Sequence, residues 1–288
     1  MDHHVGMDDV PEQTPRPRRR RRLILVTGGV LVVAAAVVLG SVMARDAGRP
    51  VKVDEAPTPT GSTLPPTPSV LRPAQGLYLS EGDGSDSLDK PPLSQAQGPQ
   101  MPASVEHRDD GCWTFRIDFS TNHWQTWVYC PAGSDGVEPG VGLVEMGGDS
   151  YQRWDLGAVS FDTTSTFSCS EGVIVSSDQE PGDEWNQRCT GTSTGSEGEA
   201  ISSGPFTFVG SEEVDIGGEP VEALRYRRQR TMTGAQRGTE TAEVWFSASS
   251  GLPLRNTRTI EASTNTVIGD VTYRETGSFV ATSTKPQP

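Results

Sequence analysis

The chain has 288 residues and a formal net charge of -14, and all 19 of its aromatic residues lie beyond residue 75, so the first quarter cannot build a globular core. The first 22 residues carry a net +2, six arginines (Arg16 and Arg18 to Arg22) against Asp2, Asp8, Asp9 and Glu12, which leaves -16 for the rest of the chain. So acidic a remainder excludes phosphate-backbone binding, and no nucleic-acid partner is expected.

The basic tail (1–22) runs directly into Leu23 to Met43, 21 residues without a charge. At 1.5 Å per residue such a helix crosses a hydrocarbon core of roughly 30 Å, and the preceding arginines keep the N-terminus in the cytoplasm. The predicted location is therefore the plasma membrane, single-pass, with the C-terminal domain outside. The competing reading is a signal peptide cleaved after Val42-Met43-Ala44, but this apolar run is longer than a usual signal core. Residues 44–75 come next as a stalk, with prolines at 50, 57, 59, 65, 66, 68 and 73 that favour an extended, polyproline-like chain.

A domain is expected over 76–283, with a disordered C-terminus at 284–288. Residues 80–111 read as a solvated loop, because they are poor in apolar residues and Asp83, Asp86 and Asp89 lack the order of a calcium loop. Alternation then marks two strands, Cys112 to Phe119 and Trp124 to Cys130, around a turn at 120–123. Folding this hairpin brings Cys112 opposite Cys130. A second hairpin-like spacing pairs Cys169 with Cys189, and an even cysteine count beyond an anchor fits an oxidising compartment.

Further strand-like runs lie at 205–209, 212–216, 219–232, 239–247, 252–261 and 267–283, separated by turns such as Gly217-Gly218 and Ser250-Gly251. No segment sustains a 3.6-residue period, so the fold class is mainly β, antiparallel, with two disulfide-closed hairpins and one N-terminal helix.

Catalytic motifs are sparse. Gly191 to Gly195 (GTSTG) matches a nucleophile-elbow pattern around Ser193, but neither a buried strand nor a helix start flanks it. Beyond the tail only His107 and His123 remain, too few for a familiar triad or zinc site, and His123 reads as a turn or packing residue beside Trp124. No enzyme, cofactor or metal is expected.

The most distinctive cluster is basic: Arg225, Arg227, Arg228, Arg230, Arg255 and Arg258 in an acidic domain. Residues two apart share a strand face, so Arg228 and Arg230 accompany Tyr226 while Arg225 and Arg227 point the other way. The six are the candidate ligand-binding residues, either as a cationic rim or as partners of cross-strand glutamates. Ala242, Val244, Phe246, Leu252 and Leu254 alternate as the concave face of a curved sheet would.

The segments Gly238 to Phe246 (GTETAEVWF), Ser250 to Arg255 (SGLPLR) and Val271 to Glu275 (VTYRE) resemble the later strands of LolA/LppX-type lipoprotein carriers. The hairpin of Cys112 to Cys130, with Ile117 to Phe119 and Asn122 to Trp124, resembles uncharacterised actinobacterial single-span membrane proteins. The first resemblance implies a LolA-like half-barrel that shelters an acyl chain or docks a protein. The expected function is a membrane-anchored, non-enzymatic binding or interaction module of the cell envelope, meeting an anionic lipid, a wall polymer or an envelope protein. The alternatives are a lipid or lipoglycan binding protein of LolA/LppX type and an extracellular hydrolase.

Overall fold

The computed structural model describes residues 71–132, 142–170, 173–175, 179–266 and 269–288. The expected tail, membrane helix and most of the stalk lie outside these residues. Among the described residues no helix is long and apolar enough to cross a membrane.

Fourteen strands account for nearly all of the described chain. They are β1 (Gly76–Asp89), β2 (Pro92–Gln97), β3 (Gln100–His107), β4 (Trp113–Ser120), β5 (His123–Pro131), β6 (Leu143–Asp155) and β7 (Ser160–Cys169). The second half comprises β8 (Val173–Val175), β9 (Glu184–Ser193), β10 (Ala200–Ile216), β11 (Glu219–Gly234), β12 (Gln236–Ser247), β13 (Pro253–Thr266) and β14 (Gly269–Ala281).

Every pairing is antiparallel, and twelve strands form a closed ring: β1, β3, β4, β5, β6, β7, β9, β10, β11, β12, β13, β14 and back to β1. Closure runs from Ser80 opposite Ala281 to Leu88 opposite Tyr273. The expected half-barrel is thus a full barrel, because the last strand finds the first as its partner and no sheet edge remains between them. β2 extends the place of β3 along β1, and β8 extends that of β7 along β6.

The register between sequential strands is set by short turns. At Gly217 and Gly218, φ is 63° and 88°, the pair of left-handed residues that a two-residue hairpin between Ile216 and Glu219 requires. Bulges between Asp118 and Ser120, Val128 and Tyr129, Phe208 and Gly210, and Trp245 and Phe246 bend the long strands around the barrel.

Three strands occupy the stretch expected to be a solvated loop. β1 and β2 carry no sustained apolar alternation because several of their buried residues are polar, among them Ser80, Asp86, Gln95 and Gln97, whereas β3 buries Met101, Ala103 and Val105 at alternate positions. The end of the stalk is also tied to the barrel. Leu71 packs on the core and its carbonyl accepts from Trp113 Nε1 at 3.2 Å, while Tyr78 donates to the carbonyl of Ala74 at 2.6 Å. At the other terminus, where a disordered tail is expected, the Gln287 amide donates to the Leu77 carbonyl at 2.6 Å.

Both expected disulfides are formed, Cys112 with Cys130 and Cys169 with Cys189. The first joins the β4–β5 hairpin and packs with Val128, Val144 and Met146 in a small cluster of its own. The second links β7 to β9, whose cysteines are direct register partners, with β8 as an excursion between them.

Candidate functional site

Strand alternation selects the inward side chains, and these form two zones inside the barrel. One is apolar, built from Trp113, Phe115, Phe206, Tyr226, Phe246, Leu254 and Phe279, all buried. These inward side chains leave a void of only about 10 Å³ beside Glu145 and Arg228, at the lower limit for one water molecule. Around these residues the interior is closely packed.

The other zone is charged, and it takes three of the six candidate arginines. Arg230 of β11 stands opposite Glu240 of β12, and Arg228 lies one inward position along the same strand. Arg228 is hydrogen-bonded to Glu240 and lies 3.6 Å from Glu145, while Arg230 is 3.5 Å from Glu145 and 3.9 Å from Glu240. Arg230 also donates to Gln187. Burial alone would raise the Glu240 carboxyl, but Arg228, Arg230 and Arg258 together hold it below the usual carboxylate range.

Beside this group, Arg258 of β13 donates through Nε to Glu275 Oε1 at 2.7 Å, and Tyr273 donates to Glu275 Oε2 at 2.7 Å. Glu275 of β14 stands directly opposite Asp86 of β1. His123, at the start of β5, brings Nδ1 to 2.9 Å from Asp86 Oδ2 and rests its ring on Phe119 at 4.9 Å. The sequence places His123 beside Trp124, but adjacent strand residues face opposite sides, so the histidine enters the barrel and the tryptophan leaves it. Gln95 and Gln97 of β2 complete the cluster, donating to Asp86 at 3.1 and 2.5 Å. Burial pushes the Asp86 carboxyl up, yet the His123 charge and these hydrogen bonds outweigh it and hold the group low. Burial raises the Tyr273 hydroxyl far above its ordinary value, reinforced by Asp86 and Glu275.

The remaining three arginines lie on the outer face, so the six do not share one surface. Arg225 donates to Glu243 at 2.6 Å and Arg227 to the same carboxylate at 3.1 Å. Trp245, only 3 % exposed although it points outward, has the Arg225 and Arg255 guanidiniums over its ring at 5.0 and 4.8 Å and donates to Glu212. Next to this stack is a depression of about 380 Å³ lined by Arg227, Gln229, Thr241, Glu243, Thr257 and Thr259. It tracks cross-strand rows, Gln229 opposite Thr241 opposite Thr259 opposite Thr276, and Arg227 opposite Glu243 opposite Thr257.

Ser193 lies at the end of β9 opposite Ser165, and its Oγ accepts from the Gly195 amide at 3.2 Å within a turn. That is the geometry of a strand end and not of a strand-to-helix elbow. Sequence reasoning missed Asp86, Glu145, Glu240 and Glu275 as interior residues. A signal existed for one of them: Glu240 has the same parity along β12 as Ala242, Val244 and Phe246, which marks it as inward.

No family model matches the chain, and no curated protein does. Among solved structures, the crystal structure of the hypothetical lipoprotein YmcC from Escherichia coli (K12) is similar at 11% identity and a TM-score of 0.31, over 68% of this chain and 86% of that one.

Proposed function

We propose that this chain is a membrane-anchored, non-enzymatic binding module of the extracytoplasmic envelope that engages its ligand on the outside of the barrel. The observation that carries the reading is the closely packed interior: a void of about 10 Å³ holds no acyl chain, whereas ligand pockets run to roughly 300 Å³ and more. The lipid-carrier alternative lacks its cavity among the described residues, and the outer depression of about 380 Å³ is the better receptor.

The lining chemistry indicates the ligand class. Hydroxyls of Thr241, Thr257 and Thr259, the Gln229 amide and the planar Arg227 and Glu243 groups offer donors and acceptors side by side, with no aromatic wall. This set suits a polyhydroxylated wall polymer, with Arg227 available to an anionic substituent. Two formed disulfides fit an oxidising compartment, as the basic flank and the apolar run at 23–43 also imply.

The test is cosedimentation of the full-length chain with purified wall polymer, comparing the unaltered protein with Thr259→Trp, which fills the depression, and Arg227→Glu. Binding should fall by more than about tenfold in both, the effect of losing a few hydrogen bonds worth together above about 1.4 kcal/mol. Unaltered binding in both variants overturns the outer-face reading, and a stoichiometric lipid carried through purification in native mass spectrometry would restore the carrier.

A further inference from the structure

We infer that the barrel interior holds a divalent cation site formed by Asp86, His123 and Glu275. Three strands deliver these residues, β1, β5 and β14, and their ligating atoms lie within 4.8 Å of one another with all three side chains buried. A tetrahedral first-row cation bound at about 2.0 to 2.2 Å holds its ligand atoms about 3.3 to 3.6 Å apart, so side-chain rotation has to draw the widest pair together by up to about 1.5 Å to complete the site.

The register is the first reason to place a cation there. Asp86 and Glu275 are direct cross-strand partners on the inward face, 0 % and 2 % exposed, and like charges in that position repel unless something positive lies between them. Among the described residues that face the interior, four carboxylates (Asp86, Glu145, Glu240, Glu275) face three guanidiniums (Arg228, Arg230, Arg258). One negative charge is left over. A divalent cation between Asp86 and Glu275 offsets it, taking the sum of these groups from -1 to +1.

The second reason is Gln97, which is 5 % exposed and whose amide is aimed into the cluster. Its Nε2 is 2.5 Å from Asp86 Oδ1, 2.9 Å from Glu275 Oε1 and 3.4 Å from His123 Nδ1. One NH₂ group has two protons for these three atoms, while its own oxygen Oε1 is buried without a hydrogen-bond partner. Turning the amide about its terminal bond exchanges the two atoms and presents that oxygen to the point where the three ligands converge, a fourth oxygen or nitrogen donor for a cation. Gly84 and Gly277 leave the space in which the amide sits, since a Cβ on either would meet Gln97 Oε1.

Outer partners suited to a metal site are also in place. Arg258 and Tyr273 hold Glu275, and Gln95 holds Asp86. One imidazole with carboxylate and amide oxygens is a set for Zn²⁺ or Mn²⁺ and not for a thiolate-preferring ion. The neighbouring grouping of Glu145 with Cys169 and Cys189 offers no such site, because both sulfurs are engaged in the disulfide.

The test uses the full-length chain, stripped with chelator and titrated with Zn²⁺ by calorimetry and elemental analysis. The expected result is one ion per chain, with affinity lowered more than about tenfold in each of Asp86→Asn, His123→Gln and Glu275→Gln, and unchanged in Arg255→Ala on the outer face. Circular dichroism establishes that the variants fold. Should they not, X-ray absorption of the Zn²⁺-loaded wild type is to show one imidazole among oxygen ligands. Absence of stoichiometric binding, affinity unaltered in folded variants, or a zinc shell with two or more imidazoles, as His3 and His4 of the tail would provide, overturns the proposal.

Discussion

Glu240 is the residue whose replacement tests most directly how the interior is held together. It is buried between Arg228 and Arg230, and its removal leaves Glu145 alone to balance two guanidiniums in that part of the barrel. Breaking a buried pair from one side costs about 3 to 5 kcal/mol, because the surviving charge is desolvated without compensation. For a domain of this size each kcal/mol moves the thermal midpoint by about 2 to 4 °C, so Glu240→Leu should lower it by about 6 to 20 °C. Adding Arg228→Met removes one charge of each sign and leaves Arg230 with Glu145 and Gln187. The double variant should therefore recover most of the loss, by thermal and urea unfolding of the same preparations. A Glu240→Leu variant within about 1 kcal/mol of wild type, or a double variant as unstable as the two single losses added, would refute the description of this group as a mutually dependent ion-pair cluster.

The same placement bears on the other expectations. Reversing Arg228 and Arg230 to glutamate would put four carboxylates together inside the barrel, and circular dichroism should show the pair of reversals largely unfolded. Replacing Cys169 and Cys189 by alanine opens a loop of 20 residues and should cost about 3 kcal/mol in urea unfolding; retained stability would mean the β7–β9 register holds without the bond. In pH titrations of the thermal midpoint, Glu240 and Asp86 have folded values below their unfolded ones, so their contribution is complete above about pH 4 to 5 and is lost as pH falls through the lowered values. Tyr129 and Tyr273 have folded values above their unfolded ones, so stability should also fall above about pH 10. A midpoint that climbs toward pH 3 contradicts the first of these. Reporter fusions should find the N-terminus in the cytoplasm and the C-terminus exported, and protection of the C-terminus from added protease would reverse that orientation.

How far the fold is legible in the sequence depends on which side chains face inward. β10 to β13 are visible because Phe206, Tyr226, Val244, Phe246 and Leu254 repeat at a period of two between turn residues. β1 and β2 are not, since Asp86, Gln95 and Gln97 occupy the same inward positions and a polar interior imitates a solvated loop. Barrel closure is equally hidden, because the pairing of Ser80 with Ala281 joins residues about 200 apart and no local pattern encodes it. Among the arginines, period-two parity correctly separates Arg225 and Arg227 from Arg228 and Arg230. Parity does not say which face is the inside, and only the company of Tyr226, fully buried, settles that.

The width of the ring gives the charged zone a physical cause. An eight-stranded barrel has an interior that ordinary side chains just fill, and diameter grows with strand number, so a twelve-stranded ring is too wide for aliphatic side chains to meet at its centre. Large aromatics fill one zone, with Trp113, Phe115, Tyr226 and Phe246 among them, while Arg228, Arg230, Arg258, Glu240 and Glu275 reach across the other. Long charged side chains are then spacers as well as ion-pair partners, and their charges must nearly cancel because water is excluded from them. This separates two roles that a single substitution confounds. Replacing Arg258 and Glu275 together by methionine and leucine keeps most of the volume and removes one charge of each sign, so the barrel should survive with its midpoint little changed. The same double replacement deletes a ligand of the inferred cation site, and Zn²⁺ affinity should collapse while the fold persists.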